Sequence, residues 1–204
     1  MGFTLQCCVS SLLLMLTVAA AVQQVPHEEM TALSALHNST RGDTWRWQDE
    51  RVAGAVWNFT ITVLGKFADN PCSSSAVAAS NQTWQGVTCS QSPQVCSSQT
   101  CHITQIDLTS YGLSGSIPAD IRHLSLLELL RLDENQLTGP IPHEVGQLVA
   151  LQQLSFRSNQ LTGIIPVEVG QLTALDLLYL YSNQLTGTIP VEVGQLTALE
   201  RFAL

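Results

Sequence analysis

Catalysis needs a nucleophile with its base and an orienting group, or paired carboxylates, or metal ligands at workable spacing, and this 204-residue chain offers few such sets. Its five histidines, His27, His37, His102, His123 and His143, include no HxH or HxxxH pair, so no two imidazoles sit at metal-binding spacing. Asp133 and Glu134 are adjacent carboxylates. In a strand such neighbours point to opposite sides, which predicts that they cannot share one substrate. There is no GxSxG and no phosphate-binding glycine loop. The chain is therefore expected to bind another molecule rather than transform one, with no catalytic residue, no cofactor and no metal.

The cysteines point to compartment instead. Residues 1–21, MGFTLQCCVSSLLLMLTVAAA, are uncharged, carry an apolar run from Leu12 to Leu16, and place Ala19 and Ala21 where a secretory signal is cut. The run is shorter than the roughly 20 apolar residues of a membrane span, and no later segment qualifies. Removal of this signal leaves Cys72, Cys89, Cys96 and Cys101, an even count in an oxidising compartment, which reads as two disulfides. Three pairings are open. Cys72 with Cys89 and Cys96 with Cys101 is favoured because both close modest loops, and the absence of any CxxC pair argues against zinc. The three NxS/T sequons, Asn38, Asn58 and Asn81, are expected to carry glycans before residue 103. Sixteen acids against Lys66 and seven arginines give a net charge of −8, which argues against nucleic acid or an anionic membrane as partner.

What must position any binding residues is a repeat. Gly115, Gly139, Gly163 and Gly187 recur every 24 residues, and the chain aligned on them reads LTGPIPHEVGQLVALQQLSFRSNQ, LTGIIPVEVGQLTALDLLYLYSNQ and LTGTIPVEVGQLTALERFAL. A poorer copy begins at Leu113, after a half copy, ITQIDLTSYG. Each holds LxxLxLxxN, as in Leu127, Leu130, Leu132 and Asn135. The middle leucines predict a short strand with too little apolar surface to fold alone, so copies must stack into a parallel sheet over one core. Asn135, Asn159 and Asn183 are predicted to form a ladder that satisfies backbone groups where each strand ends. In GxIP, glycine permits positive φ, and Pro142, Pro166 and Pro190 can each open a short helical turn. Glu144, Glu168 and Glu192 then sit at its positive end, so their regularity needs no bound cation.

The pattern LxxLxLxxNxLTGxIPxEVGxL over residues 103–204 resembles the plant-specific class of leucine-rich repeat found in receptor ectodomains and in secreted inhibitors of pathogen polygalacturonases. The resemblance implies an α/β solenoid: a right-handed superhelix with a parallel β-sheet on the concave face and short helical or irregular turns on the convex one. NPC at Cys72 and WQGVTC from Trp84 to Cys89 resemble the disulfide-bonded N-terminal cap of that family, which covers the apolar end of the first repeat and which would occupy residues 22–102. Trp84 would do much of the covering. Within the cap, residues 26–41 read as an amphipathic helix with Met30, Leu33 and Leu36 or His37 on one face, stopped by Gly42. Phe59, Ile61 and Val63 alternate with polar residues as a half-buried strand.

The outward positions of the sheet vary from copy to copy: Asp107, Arg131, Ser155, Tyr179 and Ala203 in one column, and Thr109, Asp133, Arg157 and Tyr181 two residues on. On adjacent strands Asp107 should meet Arg131, and Asp133 should meet Arg157. Tyr179 and Tyr181 stand beside Arg157 with Asp176 and Leu177 near, and Tyr and Arg are enriched at binding hot spots. Arg131, Asp133, Arg157, Asp176, Tyr179 and Tyr181 are therefore the expected ligand-binding residues, taking a protein, peptide or glycan on the concave face outside the cell. Two further expectations stand beside this one. Leu204 lies inside a strand, as in an ectodomain cut from a receptor kinase, and the same repeats suit a secreted inhibitor of a wall-degrading hydrolase.

Overall fold

A computed structural model describes residues 25–46, 71–72, 85–90 and 100–204. The alternating leucines of each copy make one short strand: β2 (Ile103–Asp107), β4 (Leu129–Arg131), β6 (Gln153–Ser155), β8 (Leu177–Tyr179) and β10 (Arg201–Ala203). Together with β1 (Val87–Cys89) they form a six-stranded sheet in the order β1-β2-β4-β6-β8-β10. From β2 onward every pair is parallel and joins residues one repeat apart, as in Gln105 with Leu129 and Leu129 with Gln153. The LTG segments make a second parallel sheet of β3 (Ser114–Gly115), β5 (Gln136–Pro140), β7 (Gln160–Gly163) and β9 (Gln184–Leu185). Its register is offset by two residues from the repeat, with Thr138 opposite Gln160. As the prolines predict, Pro142, Pro166 and Pro190 immediately precede 3-10 turns at His143–Gln147, Val167–Gln171 and Val191–Gln195.

These elements enclose one apolar core. Leu127, Leu130, Leu132, Leu151, Leu154, Phe156, Leu175 and Leu178 are fully buried, as are Leu137 and Leu161 from the second sheet. Each such side chain contributes about 1.5–3 kcal/mol by leaving water. The copies supply this area only jointly, because the wall of one is the wall of the next.

The asparagine ladder forms as the sequence predicts. Asn159 Nδ2 donates to Leu132 O of the previous copy (2.9 Å) and to Phe156 O of its own (3.1 Å), while its Oδ1 accepts from Leu137 N–H (3.0 Å). Asn135 and Asn183 repeat the pattern. Just before each asparagine the chain turns through the left-handed region at a residue other than glycine: Glu134 (φ 55°), Ser158 (57°) and Ser182 (58°). That conformation costs roughly 1–2 kcal/mol. It is held because the turning residue keeps its N–H in the ladder, Glu134 on Arg157 O (3.0 Å) and Ser158 on Tyr181 O (3.0 Å).

The N-terminal cap is only partly described. Residues 1–21, Asn58, Asn81, Trp84, Cys96 and the Phe59–Val63 segment lie outside the described residues. Within them, α1 (His27–Ser39) buries Met30, Leu33 and Leu36, and its exposed Asn38 sits near the end. The helix is stopped not by Gly42 but by Arg41, which takes the left-handed conformation (φ 55°) and leaves Gly42 to begin a 3-10 turn. Gly42 is needed for a different reason, since the His37 ring lies where its Cβ would be. Trp45 is buried and donates Nε1–H to Thr40 O (3.0 Å). The Cys72–Cys89 disulfide is present, and Cys101 is disulfide-bonded as well.

The cap helix α1 meets the repeats near both of its ends. Glu29, 3% exposed, accepts Ile103 N–H (2.8 Å) and meets His102 Nδ1 (2.6 Å), so a helix carboxylate holds the entry of β2. At the helix end, Ser39 O and Thr40 O accept from Ser116 and Ser114 across β3. Gly115 (φ 108°) makes this approach possible, because a Cβ there would lie 2.1 Å from Ser39 O.

Two stability measurements follow. Asn159→Ala orphans buried backbone groups in two copies and should lower unfolding free energy by about 2–4 kcal/mol, with Asn183→Ala costing less because its bonds are part-exposed. Equal urea midpoints for the two variants would contradict the ladder's role. Gly115→Ala should loosen the cap and admit protease near residue 40, whereas at Gly139→Ala the new methyl meets only Ser116 Cβ at 3.6 Å and the cap should stay protected.

Candidate binding face

Adjacent strands lie about 4.8 Å apart, so outward side chains of successive copies are neighbours. Asp133 and Arg157 meet as expected, with Arg157 Nε donating to Asp133 Oδ2 (3.1 Å). The surroundings of the pair change its meaning. Asp133 is only 5% exposed, and its Oδ1 also accepts from Ser155 Oγ (2.6 Å) and from Arg157 N–H (3.1 Å). A carboxylate this committed is a support, not a contact for a ligand. Charge-assisted hydrogen bonds from three donors offset its burial.

Asp133 and Glu134 do not point apart. The left-handed turn at Glu134 breaks the strand alternation and swings its carboxylate onto the same guanidinium, Arg157 Nη2 to Glu134 Oε1 at 2.8 Å. Glu134 Oε2 accepts in turn from Ser110 Oγ (2.9 Å) of the preceding copy. Arg157 thus sits between two acids. The neighbouring Tyr181 hydroxyl, and after it Asp133, raise its pKa above the ordinary range against the opposing effect of burial. Such a guanidinium is permanently charged and held in one place.

Arg131 does face Asp107, at 3.8 Å, but its shorter contact is with Gln153, Nη2 to Oε1 at 2.6 Å. Asp176 accepts from Arg201 Nη2 (3.0 Å) in the next copy. Leu177 is 4% exposed and so is not presented to a ligand, although it lies outside the apolar core cluster. Gln153, Glu134 and Arg201 complete the face, and sequence reasoning missed them as members, while Ser155, which it placed in the outward column, is buried and donates to Asp133. For Gln153 and Arg201 the signal was available, since both stand in the Leu129–Leu177 column.

Tyr179 and Tyr181 make an edge-to-face pair, ring centroids 5.8 Å apart and planes at 64°. Both are half-buried. Edge-to-face packing adds about 0.5–1.5 kcal/mol. An open cavity of about 250 Å³ adjoins Tyr181, lined by Ile165, Leu180, Asn183, Leu185 and Leu204. The face is therefore a fixed array of two rings, an anchored guanidinium and a rim of carboxylates, suited to gripping a ligand by shape, stacking and charge. Among the described residues no helix is long and apolar enough to cross a membrane.

Comparison with known proteins agrees with this architecture. The leucine-rich-repeat family model matches residues 126–148, 150–172 and 174–196. The chain is similar to the BIR2 ectodomain of Arabidopsis thaliana, at 25% identity and a TM-score of 0.61 over 89% of this chain and 80% of that one. It is similar to the Arabidopsis thaliana BIR3–SERK2 complex structure at 24% identity and a TM-score of 0.58, covering 85% of this chain and 78% of that chain. A plant ice-binding protein also matches, at 24% identity and a TM-score of 0.61 over 88% of this chain but 50% of its own. Such different molecules on one scaffold show that the fold does not choose the ligand. Repeat, stacked parallel sheet and cap together give the chain the leucine-rich-repeat fold, similar to that of the plant ectodomains.

Proposed function

We propose that this protein is an extracellular binding module that takes a peptide, protein or glycan segment on the outer face of its six-stranded sheet. The observation that carries the reading is the Tyr179–Tyr181 pair held beside an Arg157 already immobilised by Asp133 and Glu134. Exposed ion pairs alone contribute only about 0–1 kcal/mol and commonly just solvate a surface. Two neighbouring tyrosines at and just beyond the end of one short strand have no such explanation, because the interior is already filled by leucines. Rigid aromatic side chains next to a pre-placed guanidinium supply contact area with little rotamer entropy left to lose.

Support for the extracellular setting comes from the disulfide between Cys72 and Cys89 and from the ectodomain relatives. Asn38, exposed near the end of α1, would carry its glycan on the cap, leaving the outer strands bare. The BIR3–SERK2 structure is of a complex, which favours a protein or peptide ligand over a glycan.

Binders selected on the protein from a random twelve-residue peptide library should depend on this patch. Tyr179→Ala/Tyr181→Ala/Arg157→Ala is expected to weaken them by about 30-fold, in line with loss of a hot spot of roughly 2 kcal/mol, with the circular dichroism spectrum unchanged. Asp133→Asn, which touches no ligand, should still cost several-fold by releasing Arg157. Unchanged affinity in the triple variant moves the site elsewhere.

A further inference from the structure

Resting on that reading, we infer that the segment bound there is cationic, an extended peptide carrying lysine or arginine side chains. Three guanidiniums reach the outer face, and each is already engaged: Arg131 by Gln153 and Asp107, Arg157 by Asp133 and Glu134, Arg201 by Asp176. Among the described residues of this face none is left over for an anionic ligand.

Carboxylates outnumber them. The residue that enters each strand forms a rail along one side of the sheet, reading Glu128, Gln152, Asp176 and Glu200 from β4 to β10. Arg201 reaches Asp176 from the first outward column of β10, so this rail borders the face itself. Glu128 and Glu200 are exposed, and among the described residues neither side chain has a partner. Across the strands, the Asp107 and Glu134 side chains stay about half exposed (46% and 48%) even in their ion pairs. Tyr179 shares its outward column with Asp107 and follows Asp176 of the rail by three residues.

Acidic rims alone are ordinarily solvated surface. Here they accompany two half-exposed aromatic rings, and a ring face attracts cations within about 6 Å of its centroid. A lysine or arginine over the Tyr179–Tyr181 pair, with basic neighbours meeting Asp176 and Glu200, satisfies both features together. An acidic peptide meets repulsion at both borders, and a neutral one uses the rings only. The exposed positions of the second sheet, Gln136, Gln160, Gln184, Thr138 and Thr162, carry no charge and offer no competing site of this kind.

Fluorescence anisotropy of three labelled twelve-residue peptides, alternating Lys-Gly, Glu-Gly and Ser-Gly, tests the inference on the whole protein. The Lys-Gly peptide should bind about tenfold tighter than the others at 50 mM NaCl and lose most of that advantage near 0.5 M, where screening shortens the reach of exposed charges. Glu128→Gln/Asp176→Asn/Glu200→Gln should cost it about tenfold, and Tyr179→Ala/Tyr181→Ala a similar factor. Glu144→Gln/Glu168→Gln/Glu192→Gln removes as much negative charge from the turns opposite and should cost less than about twofold, which separates a site from the net charge of −8. Equal binding of all three peptides, or an equal loss from the turn variant, overturns the inference. If library-selected peptides need the tyrosines yet carry no basic residues, the charge assignment alone fails. If neither face variant affects any binder, the binding face fails with it.

Discussion

A leucine-rich copy leaves two debts at its border: an apolar wall with nothing against it, and backbone groups at the strand exit with no partner. One asparagine side chain settles the second for two copies at once. Asn159 receives the N–H of Leu137 at the start of its own copy, gives its amide hydrogens to carbonyls of the preceding copy and of its own, and does so at residue separations of 22, 27 and 3. Burial of unpaired amides would cost about 1–3 kcal/mol per group, so the turns out of β4, β6 and β8 depend on this side chain. Everything else in the array inherits that geometry.

Because the strand exits are pinned, the turn after each strand can take a conformation that L-residues avoid. At Glu134 this has a functional consequence, since the left-handed turn delivers its carboxylate to Arg157 beside that of Asp133. The same stacking keeps one-repeat register across the large sheet, so Asp107, Arg131, Ser155 and Tyr179 line up without any contact among them being needed for folding. Outer positions are thereby released from stability and open to variation, while the inner leucines are not. A surface of this kind is preformed, and binding to it sacrifices little backbone entropy.

The cap solves the corresponding problem at the N-terminal end. A parallel sheet edge and an apolar end layer would both be open there. Antiparallel β1 pairs with β2, Glu29 takes the N–H of Ile103, and the end of α1 offers its carbonyls to β3. The two sheets are thus closed by two separate devices, one a strand and one a helix terminus. The disulfide to Cys72 ties the strand down at Cys89.

Period, core and ladder were legible in the amino-acid sequence alone, because each depends on residue type at a fixed spacing: leucines that must be buried, an asparagine that can serve two copies, prolines that open a turn. The pairing of Asp133 with Arg157 was legible for the same reason, one repeat being one strand step. What spacing does not carry is direction and depth. That Asp133 is buried and not presented, that Glu134 shares its guanidinium, that Arg41 and not Gly42 ends α1, and that Glu29 grips β2 across more than seventy residues were decided only by tertiary structure. Each depends on a backbone turn or a long-range contact whose energy is set by the packed neighbours, and these are not neighbours in the chain.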